Sequence, residues 1–308
     1  MNAPAKIPRT PGQPKLARLL VPVDLSPRSC RAIRYAGAWA ARLGAAVDLV
    51  FVLEPAPFYS GLEYNPLAID DAALVRQARD RLRKLAETQL PKEVPTSVSV
   101  LHGRAAAQIV AVARQQKTDL IVICTHGYSG AQRVVMGSTT EEVIRQAPCP
   151  VLTLRHRTAP KAALNIRRLL APVDFSEPSR QALQYAVGLA RRLDAALTVC
   201  HVVSPVPPSR RWTTLARDLE AEAVQQAERI LARWVKPAAS SLGGIQTRVL
   251  VGTPRDQIIQ QATALQADLV VMATHGRRAL ARWLLGSTAE AVVRHAPCPV
   301  LVVRPKGA

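Results

Sequence analysis

The sequence is poor in aromatic residues, which make up 4% of its 308 positions. Single-stranded nucleic acids are held by stacking platforms of such rings, so their scarcity argues against that class of partner. The five cysteines, Cys30, Cys124, Cys149, Cys200 and Cys298, show no CxxC spacing. This excludes a zinc ribbon or a thioredoxin-like motif and fits free buried thiols in a reducing cytoplasm. No apolar run reaches the roughly 18 residues of a membrane span, so no membrane partner is expected. The opening "MNAPAKIPRTPGQPK" has four prolines and no apolar signal region, which makes residues 1–15 a disordered tail and not a targeting peptide. Walker A, GxGxxG and HExxH sequences are all missing.

What remains is a chain with 48% apolar and 20% charged residues, the composition of a soluble globular protein, and a length that suits two domains. Its net charge of +19 at pH 7 divides almost evenly between residues 1–157 and 158–308. Much of the excess is Arg on predicted helix faces, as in "RQARDRLRKL". A solvated basic surface follows, with adventitious binding of polyanions at low salt and no specific nucleic-acid partner.

The dominant feature is an internal repeat. "RLLVPVDLSPRSCRAIRYAGAWAARLGAAVDLVFVLEP" aligns without a gap on "RLLAPVDFSEPSRQALQYAVGLARRLDAALTVCHVVSP", 150 residues later. "DLIVICTHG" and "APCPVLTLR" recur as "DLVVMATHG" and "APCPVLVVR", 149 residues later. The chain therefore reads as a tail (1–15), a first domain (16–157) and a second copy of it (158–308), with "RHRTAPKAALN" as linker. Each copy alternates strands and helices. In copy one, Leu19–Val23 is a strand, Ser26 opens a helix with Ile33, Ala36, Ala40 and Leu43 at helical spacing, and "VDLVFVL" is a buried strand. A Pro-rich loop, a charged helix near Asp71–Leu90, the strand "TSVSVLH" and the helix "AAAQIVAVARQQ" follow. "DLIVIC" is the fourth strand, Ser138 starts the last helix, and "VLTL" is the fifth strand. This alternation predicts an α/β fold with a doubly wound parallel sheet in each copy.

Ligands of such sheets bind beyond the carboxyl ends of the strands, where strand order reverses. There the sequence places "THGYSGAQRVVMGST" in copy one and "THGRRALARWLLGST" in copy two. Gly127 and Gly276 follow the fourth strand, and a glycine there permits positive φ and close approach of a ligand to the backbone. Nine residues on, Gly137 and Gly286 precede Ser138 and Ser287 at a helix start, whose free N–H groups form an anion site. Two such clusters can hold a chain of phosphates. The competing reading is structural: "STTE" and "STAE" are capping boxes, and each Gly serves a turn. Asp24 and Asp174 end the first strand of each copy; such a carboxylate could bond an adenosine moiety, hold Mg²⁺ or cap the next helix, a task for which Ser26 and Ser176 compete. His126 and His275 are expected to make loop hydrogen bonds, and His201 to sit in the core.

These residues resemble the universal stress protein family in its tandem two-domain form, over residues 16–157 and 165–306. The resemblance rests on "PVDLS"/"PVDFS", the "THG" turn, "GST" and "APCPV" in order. It implies two five-stranded sheets of strand order 3-2-1-4-5, related by a pseudo-two-fold axis and paired through their last strands, with a homodimer as a further possibility. In the ATP-binding branch the pattern is Gly-x2-Gly-x9-Gly-Ser/Thr. Here Cys124 and Ala273 stand where the first glycine would be, Cys124 being the bulkier departure. The resemblance further implies that Asp24 and Asp174 lie beside the nucleotide and that Val52 and Val202 offer backbone contacts to adenine. Gly127, Gly137, Ser138 and Thr139, with Gly276, Gly286, Ser287 and Thr288, would hold phosphates. Arg277 would add a charge in copy two where copy one has Tyr128. The expected function is a cytoplasmic stress-response regulator that binds ATP, ADP or AMP, with Mg²⁺ carried by the nucleotide near Asp24 and Asp174. The alternatives are a nucleotide-free module that binds a protein partner, and a slow ATPase. The SGGxDS and HIGH sequences of related enzymes do not occur, and no general base stands out.

Overall fold

A computed structural model describes residues 13–26, 29–54, 71–125, 136–155, 166–205, 213–239, 244–276 and 285–304. The chain forms two compact units whose main bodies are Leu16–Val151 and Asn165–Ala308.

Copy one runs β1 (Arg18–Pro22), α1 (Ser29–Leu43), β2 (Ala46–Leu53), α2 (Asp71–Gln89), β3 (Thr96–His102), α3 (Ala105–Gln115), β4 (Leu120–Cys124), α4 (Ser138–Gln146) and β5 (Val151–Leu154). Copy two runs β6 (Arg168–Pro172), α5 (Glu177–Leu193), β7 (Ala196–Val203), α6 (Thr213–Ala239), β8 (Ile245–Val251), α7 (Pro254–Ala264), β9 (Leu269–Ala273), α8 (Ser287–His295) and β10 (Val300–Val303). Strand order is β3-β2-β1-β4-β5 in copy one and β8-β7-β6-β9-β10 in copy two. The pairings with printed register are all parallel and keep the same register in both copies: Leu19↔Val47 and Leu19↔Leu120 correspond to Leu169↔Leu197 and Leu169↔Leu269.

The central strands are covered on both faces, which is why they read as unbroken apolar runs. Leu19, Leu20, Val21, Leu120, Ile121 and Val122 have no exposed surface. The predicted stripe of α1, Ile33, Ala36, Ala40 and Leu43, is buried against them. Edge strands β3 and β8 are the exposed ones. A carboxylate just before the fourth strand fixes the start of the first: Asp119 Oδ2 accepts from the Ala17 and Arg18 amides at 2.9 and 3.0 Å. Asp268 Oδ2 does the same for Arg167 and Arg168, both at 2.9 Å. The helix after each first strand ends in a left-handed residue, Gly44 (φ 68°) in copy one and Asp194 (φ 53°) in copy two. Aspartate is among the few side chains that tolerate this.

Between β1 and β4, and between β6 and β9, strand order reverses. The chain leaves the two strands in opposite directions, so their carboxyl ends open a crevice. Val23-Asp24 and Thr125 border it in copy one; Val173-Asp174 and Thr274 border it in copy two. Among the described residues no helix is long and apolar enough to cross a membrane.

Candidate functional site

The carboxylates at the ends of β1 and β6 sit in a tight turn. Asp174 Oδ1 accepts from the Ser176 amide at 3.1 Å and the Ser176 hydroxyl at 2.6 Å. Asp24 repeats this with Ser26, at 3.0 and 2.6 Å. The helix cap itself is Ser176, whose Oγ accepts from the Ser179 amide at 3.3 Å. Each aspartate thus orients the cap and is not the cap, which settles the competition raised by the sequence. The residue after each aspartate, Leu25 (φ 60°) or Phe175 (φ 61°), is left-handed. For bulky side chains that conformation costs about 1–3 kcal/mol and persists only where the surroundings hold it. Neither "PVDLS" nor "PVDFS" announces it.

The glycines act differently from the expectation. Gly276 is not in the positive-φ region. Its side-chain position is taken: a Cβ there would run into Asp174 Oδ2 and stand 2.9 Å from Asp174 Cγ. The close approach that requires glycine is made by the protein's own carboxylate. Gly127 lies outside the described residues. Gly137 and Gly286 are the N-caps of α4 and α8, with ordinary φ of −65° and −62° and no side-chain cap. Their amides donate to Thr125 O and Thr274 O, both at 2.9 Å, which ties each helix start to the end of the fourth strand. A Cβ on Gly286 would lie 3.4 Å from both His275 Cα and Thr274 O; on Gly137 it would meet only Thr125 O, at 3.6 Å.

The capping-box reading is corrected as well. Ser138 and Ser287 are the first helical residues, not N-caps, and both are exposed. The first-turn amides of α4 and α8 therefore have no capping side chain, and Thr139 and Thr288 stand half-buried beside them. Uncapped N–H groups with the positive end of the helix dipole behind them favour an anion. In copy one Thr140 Oγ1 donates to Cys124 O at 3.0 Å. Copy two has Ala289 at that place.

His275 makes the expected loop bond, Nδ1 lying 2.8 Å from Thr274 Oγ1. Burial lowers its pKa below the ordinary imidazole value; Arg304 adds to the fall and Asp174 opposes it. The ring is therefore neutral at pH 7 and offers no fixed positive charge. His126, Tyr128 and Arg277 lie outside the described residues. Val52 and Val202 sit in β2 and β7, two residues beyond the Pro22↔Val50 and Pro172↔Cys200 pairs that end the register with the first strand. They are half-buried at the mouth of the crevice. His201 is not a plain core residue: it is half-buried, with Nδ1 2.7 Å from Val173 O and its ring stacked on Phe175 at 4.1 Å. Among the described residues no three His, Cys, Asp or Glu side chains form a metal cluster. Copy two thus gathers Asp174, His275, Gly276 and the start of α8, with Val202 on the adjoining strand. In copy one Asp24, Cys124, Gly137, Ser138 and Val52 hold the matching places.

Comparison with known proteins follows the same division. The universal stress protein family model matches residues 15–155 and again 165–304. The chain is 35% identical over 144 residues to a universal stress protein of Methanocaldococcus jannaschii, an alignment covering 45% of this chain and 82% of that protein. A putative universal stress protein of Staphylococcus saprophyticus is 35% identical over 147 residues, covering 46% and 85%. In fold the chain is similar to a universal stress protein structure from Archaeoglobus fulgidus, with a TM-score of 0.67 at 22% identity over 95% of this chain and 98% of that one. Two matches of one family model, each spanning a complete five-stranded repeat, place this chain in the universal stress protein family, in its tandem two-domain form.

Proposed function

We propose that the chain is a nucleotide-dependent stress-response regulator of the cytoplasm, with an adenine nucleotide bound in the crevice of copy two. The observation that carries the reading is the pair of helix starts that keep glycine at the N-cap and no capping side chain, tied to the fourth strand by the Gly286 and Gly137 amides. A cap left open at the one crevice where α/β sheets bind ligands suits a phosphate chain.

The residues present fit such a ligand. Gly286, Ser287 and Thr288 would hold phosphates through backbone N–H and hydroxyl donors, with Gly276 forming the wall and Arg277 adding a cation. Val202 would offer backbone groups to the base, and Asp174 would face the sugar or Mg²⁺ carried by the phosphates. The nucleotide supplies a charged, exchangeable ligand whose presence alters the crevice surface, and a regulator needs no turnover. In copy one the same set is Asp24, Val52, Gly127, Gly137, Ser138 and Thr139. There the half-exposed Cys124 at the strand end favours a second reading, a nucleotide-free module that contacts a protein partner.

Mass spectrometry of the denatured purified protein, with calorimetric titration by ATP and Mg²⁺, tests the proposal. Co-purified AMP, ADP or ATP, or saturable binding, is the expected result. A folded protein that carries none and binds none rules it out. Copy two is expected to bind more tightly than copy one, by roughly tenfold if Arg277 makes one charge-assisted bond. The full chain with either Gly286→Val or Gly137→Val separates the two sites.

A further inference from the structure

We propose that His201 is a positioning residue for Asp174, and that it sets the copy-two crevice apart from the copy-one crevice; the inference deepens the nucleotide reading and rests on it. The geometry is a bracket. Val173 O lies 2.7 Å from His201 Nδ1. A carbonyl oxygen only accepts, so Nδ1 carries the hydrogen. The same ring stacks on Phe175, with centroids 4.1 Å apart and planes 25° apart. Val173 and Phe175 are the two neighbours of Asp174. One imidazole therefore grips the chain immediately before and immediately after the carboxylate.

The bracket is supported from outside. Trp234 of α6 stands edge-on to Phe175 at 5.3 Å, and the Arg180 guanidinium covers the Trp234 ring at 4.6 Å. Phe175 holds a left-handed backbone that phenylalanine avoids when free, and this packing supplies what holds it there. Copy one has the same turn, Leu25 also being left-handed. At the places of Phe175, Arg180 and His201, however, it carries Leu25, Cys30 and Phe51. Phenylalanine has no donor for Val23 O, so copy one keeps the turn without the bond. A carboxylate fixed before the ligand arrives loses less freedom on binding, so copy two is the preorganised site. Nδ1 carries its hydrogen in both the neutral and the protonated ring, so the grip does not depend on pH.

The test uses the full chain carrying Gly137→Val, titrated calorimetrically with ATP and Mg²⁺. His201→Phe keeps a ring and loses the donor; His201→Asn keeps a donor near the place of Nδ1 and loses the ring. Each is expected to bind about three- to tenfold more weakly, one hydrogen bond or one stacking contact being removed. His201→Ala loses both and should bind most weakly, with His201→Asn recovering part of the loss. In the nucleotide-free chain at fixed pH, the ¹³C chemical shift of the Asp174 carboxyl should move in His201→Ala and return toward the parent in His201→Asn, while that of Asp194 stays. Parent-like affinity in all three variants with an unmoved Asp174 signal overturns the proposal. If the parent binds no ATP, the nucleotide reading fails and the Asp174 signal alone decides the bracket. If His201→Ala does not fold, His201→Phe and the reverse graft in copy one, Leu25→Phe with Phe51→His in a chain that carries Gly286→Val in place of Gly137→Val, decide it: tighter ATP binding by the graft supports the bracket, and unchanged binding overturns it.

Discussion

In copy one, Asp48 lies buried in β2. It is paired with Arg18 Nε at 2.8 Å and accepts from the Ser97 hydroxyl at 2.6 Å. In copy two Thr198 takes that place, Arg168 turns instead to Asp268 at 3.9 Å and Gln266 at 3.2 Å, and a cavity of about 250 Å³ lies among Arg168, Leu197, Thr198, Gln246 and Ala267. This difference is at the amino ends of the strands. At the carboxyl ends the copies share their skeleton (an aspartate bonded to a serine, and a glycine at a helix start) but differ at Cys124 against Ala273 and Phe51 against His201. The lesson is one of place. Far from the crevice, the copies differ in how volume and charge are satisfied. At the crevice the backbone device is common to both, and the divergence is in the side chains that tune it.

The sharpest break of the comparison is at the glycines. Gly276→Val should displace Asp174 and remove copy-two nucleotide binding, roughly a hundredfold or more, with about 1–3 kcal/mol lost from stability by overpacking. Calorimetry and urea unfolding measure the two effects. Gly286→Val should also remove copy-two binding, at smaller cost to the fold, because its φ of −62° is open to valine. An unchanged affinity in folded Gly286→Val would detach α8 from the ligand. Next in size is Asp48→Thr, which makes copy one like copy two. It leaves Arg18 without its partner and should cost about 1–3 kcal/mol, toward the lower end because Arg18 is half-exposed. Urea midpoints of the variant and parent give the value, and a cost near zero would mean that the buried pair does not distinguish the copies.

Thiol chemistry sharpens the comparison from another side. Burial pushes the thiols of Cys149, Cys200 and Cys298 up to about 12, with Asp119 and Asp268 adding to the first and last. Cys30 and Cys124, both in copy one, are half-exposed. At pH 8 a thiol near 12 holds roughly a thousandfold less thiolate than a free cysteine, so brief iodoacetamide treatment should label copy one only, as peptide mass spectrometry will show. ATP should slow labelling of Cys124 only if copy one also binds it. The smallest effect concerns His275. Its pKa is lowered on folding, so the unfolded state binds more protons as pH drops through the ordinary imidazole range near 6.5. Its contribution is present above that range and fades below it; His275→Asn should flatten the fall in melting temperature between pH 7.5 and 5.5 slightly, the ring being half-exposed.

The repeat and its strands were legible because strands buried on both faces read as apolar runs, as at Leu19–Val21 and Leu120–Val122, and α1 showed its stripe in Ile33, Ala36 and Ala40; the strand order was implied only by the family resemblance. The left-handed Leu25 and Phe175 left no such trace, since nothing in "PVDLS" or "PVDFS" calls for a residue of that backbone. The grip of His201 on Val173 and Phe175 was equally hidden, because it joins positions far apart in the chain. At "GST" local pattern misled: a serine followed three residues later by glutamate reads as a capping box, yet the bond from Gly286 to Thr274 moves the helix start one residue earlier.

Gly276 bears on how divergence can proceed in a duplicated domain. Because Asp174 occupies the space where its side chain would go, substitution of this glycine is opposed by the folded protein itself, whether or not a nucleotide ever visits. The colliding group is the end of a side chain, so a Cβ here requires the Asp174 carboxylate to swing, at the expense of its bond to Ser176. Retention of Gly276 is a record of the turn's geometry, whereas at Gly286, where a Cβ would only reach van der Waals contact with His275 Cα and Thr274 O, the fold itself opposes substitution less.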